Sequence, residues 1–329
     1  MQAIQAVSPG GAEVLELVSV PEPSPGPEEA LIGIEAAGVN FIDTYHRTGV
    51  YANEFPFIPG VEGGGTVLEI GSDVHEVEVG DRVTFGMHLG SYAERASVPA
   101  HALLPVPPAL DLPSAVAATV QGLTAHYLSR STFTLKSGST ALIHAAAGGV
   151  GRLLVQMARI AGSDVYATVS SEAKAEVARE AGAQHVINYS VDDFVERVQE
   201  GTDGQGVDVV YDGVGQDTFQ GSLKCLRPRG LLCLFGQSSG GVPPIDPQIL
   251  NSSGSVFLTR PSLYHYAATR QELLGRANDI YRWMEEGKLS VRIDRTFPLK
   301  QAAQAHRVLE GRETMGKVLL LNEQTNGDG

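Results

Sequence analysis

Thr140-Ala141-Leu142-Ile143-His144-Ala145-Ala146-Ala147-Gly148-Gly149-Val150-Gly151 decides how the rest of this chain is read. An apolar run of strand length meets a Gly-rich loop. Arg152–Ala161 follows, with Leu153, Leu154, Met157, Ala158 and Ala161 at helical spacing. That order predicts a strand over Thr140–Ala146, a tight turn, and a helix over Gly149–Ala161. Read from Ala146, the turn is A-x-G-x-x-G. Gly148 would let the backbone approach a pyrophosphate, and Gly151 would let the helix pack closely on the strand. The helix N-terminus would offer unbonded N–H groups and partial positive charge to phosphate. A Gly-rich string alone also suits a plain tight turn; its place between strand and helix makes it a dinucleotide signal.

Downstream, strand and helix patterns alternate. Val165–Val169, Val186–Tyr189, Val207–Tyr211 and Leu231–Phe235 read as strands, and Glu172–Ala181, Asp192–Glu200 and Thr218–Leu226 as helices. The strands are continuous apolar runs, as expected where helices cover both faces, so a doubly wound parallel sheet is predicted. In an NAD-preferring site the second strand ends in Asp or Glu, about 20 residues beyond the Gly loop. Here it ends Thr168-Val169-Ser170-Ser171, with Lys174 one turn later. A carboxylate would repel a ribose 2′-phosphate, whereas two hydroxyls and an ammonium would hold it. Either Ser can also cap the next helix, and the two roles are compatible. NADPH is therefore the expected cofactor.

Upstream, the chain reads as short strands between turns: Glu29–Ala37, Gly65–Ile70, Arg82–Phe85, Ser91–Val98 and Ala102–Val106, after a Pro-rich stretch, Pro21–Pro27. Such punctuation predicts a compact, mostly antiparallel barrel. A helix is expected from Leu112 through Ser129, opened by Pro113 and Ser114. Beyond Arg260 come a long helix (Arg270–Glu286), a strand near Arg292–Phe297, a helix at Leu299–Leu309 and a strand at Lys317–Leu321, before a polar end, Asn322–Gly329. The expected class is α/β. The expected division is 1–122 as a barrel domain, 123–262 as the wound domain and 263–329 as a return to the barrel.

The 329 residues suffice for two cores. A net charge of −14 without a basic run disfavours nucleic acid and anionic membranes as partners. Two cysteines, Cys225 and Cys233, are too few for a disulfide framework and read as buried hydrophobes. No signal-peptide pattern opens the chain and no apolar run reaches membrane-spanning length, so a cytoplasmic location is expected.

These features together resemble the medium-chain dehydrogenase/reductase superfamily. Gly38-Val39-Asn40-Phe41-Ile42-Asp43-Thr44-Tyr45, His144–Gly151, Asn188-Tyr189, Val209-Val210-Tyr211-Asp212 and Thr259-Arg260-Pro261-Ser262-Leu263 are similar to its zinc-independent quinone oxidoreductase branch. The resemblance implies a GroES-like β-barrel catalytic domain, a Rossmann domain and an active site in the cleft between them. It places Asn40, Val61 and Gln121 where alcohol dehydrogenases of the superfamily carry zinc ligands. Val has no donor atom, and Asn and Gln are weak zinc ligands, so no metal is expected. None of the nine histidines is paired as H-x-x-x-H or stands beside a cysteine.

The resemblance further puts Asn40, Phe41, Asp43, Thr44 and Tyr45 on a short helix beside the nicotinamide. It lines the cofactor groove with Tyr127, Gly149, Val150, Ser170, Lys174, Tyr189, Phe235, Ser238, Leu258, Arg260 and Arg312. Tyr45 and Tyr51 are candidate substrate contacts, and Asn40 and Tyr45 candidate hydrogen-bond donors to a developing oxyanion. Ordinary packing is the competing role for each tyrosine, and His46 and His144 read as structural. The activity implied is NADPH-dependent reduction of a quinone. A reductase of α,β-unsaturated ketones or aldehydes needs the same parts, and a non-catalytic NADPH-binding protein is the alternative of another class. Ser255–Thr259 would be an apolar sheet edge, from which a homodimer is expected.

Overall fold

A computed structural model describes residues 1–322; most of the polar C-terminal end lies outside the described residues. The strands, in chain order, are β1 (Gln2–Ala6), β2 (Leu15–Ser19), β3 (Glu29–Val39), β4 (Glu62–Ile70), β5 (Arg82–Gly86), β6 (Arg95–Pro99) and β7 (Leu104–Pro105), then β8 (Thr140–Ile143), β9 (Asp164–Val169), β10 (His185–Asn188), β11 (Val207–Asp212), β12 (Leu226–Leu234) and β13 (Phe257–Thr259), and finally β14 (Ile293–Pro298) and β15 (Lys317–Leu321). The helices that matter below are α1 (Phe41–Arg47), α2 (Leu112–Tyr127), α3 (Gly149–Ala161) and α4 (Glu172–Ala181). The chain divides into two compact units, Met1–Val120 with Thr269–Glu285 and Val291–Gly329, and Gln121–Ala268 with Glu286–Ser290.

The first unit is built on β3. One edge pairs with β4, and the other is shared by β6 along Glu29–Gly33 and β15 along Ala36–Val39. Register shifts at Leu31/Ile32 and Ile34/Ala36 bend the strand so that one strand can serve three neighbours. The sheet order is β14-β15-β3-β4-β5-β7, antiparallel except for the pair β14–β15. Ile4, Ile32, Phe85 and Leu103, each at most 1% exposed, fill its core with Tyr92. Truncating any of these aliphatic or aromatic side chains would cost about 2–5 kcal/mol. β6 is shorter than the expected Ser91–Val98. Ser91–Tyr92 instead bond back to Gly60 and Pro59, and Ala93 makes an isolated bridge to Ala3.

The second unit carries a parallel sheet ordered β10-β9-β8-β11-β12-β13. The chain runs outward from β8 in one direction, then returns to continue from β11 in the other, which is the doubly wound arrangement. β12 starts earlier than expected, at Leu226, but Pro228 lacks an N–H and Arg229 has φ 60°, so regular pairing resumes only at Leu231. α2 ends at Tyr127 and passes into a widened turn, Leu128–Thr132.

Candidate active site

β8 stops at Ile143 rather than Ala146 because Ala145 turns into the left-handed region, φ 51°. Gly148 N–H donates to Ala145 O at 2.9 Å, and Gly148 caps α3 in extended backbone. A Cβ at Gly151 would lie 2.4 Å from Ala145 O and 2.9 Å from Ala146 Cα, so only glycine lets α3 sit this close to the loop. A Cβ at Gly149 would meet Gln121 at 1.9 Å. The loop therefore presents bare backbone and the start of a thirteen-residue helix, which is the chemistry of a phosphate cradle.

The neighbouring strand ends close by. Ser171 caps α4, accepting from Lys174 N at 3.4 Å, and Lys174 Nζ donates to Ser170 Oγ at 3.2 Å. Tyr189 N–H donates to Val169 O, which sets the half-exposed Tyr189 beside Ser170 at the end of β10. Glu172, the acid of this turn, is paired with Arg179 at 2.7 Å. Farther along the same sheet edge, Phe235 N–H donates to Asp212 O, Ser238 N–H donates to Gly213 O, and Arg260 follows β13. Gly148–Gly151, Ser170, Ser171, Lys174, Tyr189, Phe235, Ser238 and Arg260 thus gather beyond the carboxyl ends of the strands, where wound sheets bind their ligands. Leu258 lies within β13 instead, opposite Leu232. Tyr127 is 2% exposed and stacked on Tyr266 at 4.5 Å, as a core ring would be.

Beneath that edge His144 bonds Thr168 through Nδ1 (2.8 Å) and Ser222 through Nε2 (3.0 Å), and burial lowers its pKa. Asp212 accepts from Val214 N, Gly215 N, Thr218 Oγ1 and Ser222 Oγ. His144 is structural here, and Asp212, the last residue of the Val209–Asp212 motif, shapes the turn after β11.

In the first unit, β3 delivers Asn40 to the start of α1. Asp43 accepts from Asn40 N (2.8 Å), Val61 N (3.1 Å) and Tyr92 Oη (3.1 Å). Burial raises its pKa to about 7 despite those bonds and the Lys317 charge. Asp43 is 0% exposed, so it frames the helix and cannot touch a cofactor; the expected groove role is corrected on that ground. Thr44 is also buried, its hydroxyl donating to Phe41 O. Phe41 packs partly against the barrel core, and Arg312 lies after the last helix with φ 55°.

Asn40 Oδ1 accepts from Lys317 Nζ at 2.7 Å, while Nδ2 donates to Glu62 Oε2 at 2.9 Å and to Gly38 O at 3.3 Å. Both amide N–H groups are committed to protein, so the donor role expected of Asn40 toward a substrate oxyanion does not fit this geometry. Tyr45 and Tyr51 do come together, with ring centroids 5.5 Å apart at 72°, and Tyr51 N–H donates to Tyr45 O. His46 stands edge-on to Tyr51; Asn53 bonds its Nδ1, and burial lowers its pKa. Tyr51 is 36% exposed. Glu62 and Lys317, 0% and 1% exposed, were not singled out from sequence. Their signal is a lone Lys opening the apolar β15 and a lone Glu heading a glycine run.

The three zinc-ligand positions do not suit a metal ion. Val61 is fully buried and apolar, Asn40 Oδ1 already faces an ammonium, and Gln121 lies against Gly149. Among the described residues no group of three or more His, Cys, Asp or Glu is placed to hold a metal. Cys225 and Cys233 are buried thiols, the former pushed up to about 12 by burial.

Residues 26–108 match the family model of the alcohol dehydrogenase GroES-like domain, and residues 181–320 match that of zinc-binding dehydrogenases. The chain is 43% identical over 320 residues to a 2-haloacrylate reductase from a Burkholderia species, covering 95% of this chain and 96% of that protein. It is 43% identical to a quinone oxidoreductase of Pseudomonas aeruginosa, covering 97% and 98%. Among solved structures, Escherichia coli quinone oxidoreductase complexed with NADPH has a TM-score of 0.96 at 41% identity, covering 98% of this chain and 100% of that one. A mycobacterial protein complexed with NADPH has a TM-score of 0.95 at 46% identity, with the same coverage. The chain belongs to the quinone oxidoreductase family of the medium-chain dehydrogenase/reductase superfamily.

Proposed function

We propose that this protein is an NADPH-dependent quinone oxidoreductase that works without zinc. The observation carrying the reading is the Ser170–Ser171–Lys174 cluster beside the Gly148–Gly151 loop. It offers hydroxyls and an ammonium where a 2′-phosphate needs them, next to backbone that only glycine leaves open. When bound, NADPH supplies the hydride. The chain's own work is to hold the dinucleotide beyond the carboxyl ends of the wound strands and to offer an acceptor the edge-to-face Tyr45–Tyr51 pair. A quinone suits this equipment: it is electron-poor, its reduced oxyanion is delocalised, and positioning with a hydroxyl donor suffices where an alkoxide would require a Lewis acid.

The test is NADPH oxidation across a panel of quinones and α,β-unsaturated acceptors, with Tyr45→Phe and Tyr51→Phe alongside. Quinone turnover that survives a chelator and falls about tenfold in Tyr45→Phe, one hydrogen bond's worth, supports the reading. NADPH binding without turnover of any acceptor overturns it. The 43% identity to a 2-haloacrylate reductase favours, as a second reading, an activated alkene as acceptor. The half-exposed strand β13, with Phe257 63% exposed at the sheet edge, supports a homodimer paired along that edge. No helix among the described residues is long and apolar enough to cross a membrane, and with both thiols buried and unpaired a cytoplasmic location suits the chain.

A further inference from the structure

Glu62 and Lys317 form an ion pair with side chains 0% and 1% exposed, and a barrel core has no need of one. Glu62 uses its two oxygens separately: Oε1 accepts from Val120 N at 2.6 Å, and Oε2 accepts from Asn40 Nδ2 and Lys317 Nζ. Lys317 Nζ also donates to Asn40 Oδ1. The Asn40 amide thus lies between an ammonium and a carboxylate, and only one of its two orientations is compatible with both. Flipped, it would aim its NH2 at the ammonium and its oxygen at the carboxylate. Space is reserved for this cluster, since a Cβ on Gly38 would fall 1.9 Å from Glu62 Oε2 and 2.8 Å from Lys317 Cε.

Asn40 is the N-cap of α1, and α1 carries Tyr45, whose carbonyl in turn holds the Tyr51 backbone. α1 has seven residues, too short to be rigid by itself, so its direction depends on how its first turn is anchored. We infer that Lys317 is a positioning residue for the reaction. With Glu62 it locks the Asn40 amide, and through Asn40 it aims α1 and therefore the Tyr45–Tyr51 pair. The inference rests on the proposed role of the two tyrosines.

Lys317→Met alone would strand a buried carboxylate, so the informative variant is the neutral pair Lys317→Met with Glu62→Gln. It removes the lock without leaving an unpaired charge. In this variant thermal stability and the NADPH Kd should remain near those of the parent, while quinone kcat falls about tenfold. In an Asn40→Ala background, itself lowered to a similar extent, the neutral pair should lower kcat by no more than about a further twofold, because Lys317 acts through Asn40. The inference is overturned if the neutral pair turns over quinone at the parental rate. It is equally overturned if its effect multiplies with that of Asn40→Ala, or if it gives no folded, NADPH-binding protein, the cluster then being fold support only. Should Tyr45→Phe and Tyr51→Phe both leave quinone turnover intact, the reading of the tyrosines fails instead.

Discussion

Lys174→Ala separates recognition of the 2′-phosphate from binding of the rest of the dinucleotide. The ammonium is half-buried and tethered to Ser170 Oγ at 3.2 Å, and it sits in the first turn of α4. Two unit charges 4 Å apart at an effective dielectric of about 20 attract by roughly 4 kcal/mol before desolvation. A hydrogen bond to a charged group retains about 1.5–3 kcal/mol net, a factor of about 10 to 150 in affinity. Because the helix N-terminus and Ser170 remain in the variant, the loss should stay within that range. Titration by nicotinamide fluorescence, for NADPH and NADH with both proteins, would show NADPH weakened by that factor and NADH nearly unchanged. Raising the salt concentration should narrow the NADPH gap, since the site is partly open to solvent. Equal weakening of both cofactors would refute the argument, for Lys174 would then be contributing to something the two dinucleotides share.

Gly151→Ala would press a methyl against Ala145 O and Ala146 Cα, so stability should fall by about 1–3 kcal/mol, and denaturant titration together with NADPH titration should show both losses. Light scattering should return about 70 kDa, twice the 34.8 kDa chain, and Phe257→Lys should return the single-chain mass; a single-chain mass for the parent would dismiss the β13 edge as an interface. His306 is buried, accepts from Arg47 and bonds Tyr92, and desolvation together with the Arg47 charge lowers its pKa from 6.5 to about 3. The unfolded chain takes up a proton at His306 below about pH 6.5 and the folded chain does not, so this group's stabilisation is lost as pH falls towards 3. Asp43, raised to about 7, has the opposite effect: its contribution is fullest below the ordinary carboxylate range and is lost as pH rises through 7. His306→Gln, which can keep both bonds, should therefore remove about 2–3 kcal/mol of the destabilisation seen on moving from pH 7 to pH 4.5. Urea midpoints that fall in parallel for variant and parent would contradict this.

The sequence by itself determined whatever depends on neighbours along the chain. The Gly loop, α3 with its buried Leu153, Leu154 and Met157, the serine tip of β9 and the Lys174 one turn on are all local, and their chemistry follows from backbone sterics and helical period. β1 and β2 were illegible because they are short: β1 buries small Ala3 and Ala6 around a single large apolar residue, Ile4, and β2 is largely exposed, so neither shows enough apolar alternation to mark a strand. Folding alone decided the fate of the polar side chains around α1. Asn40 and Lys317 stand 277 positions apart, and Arg47 and His306 are separated by 259. A residue written as a catalytic amide became a bound strut, and an acid written into a cofactor groove became a buried cap. The reason is physical: a charge or amide has its role set by which groups replace its water, and the chain's order does not say which distant strand will bring them.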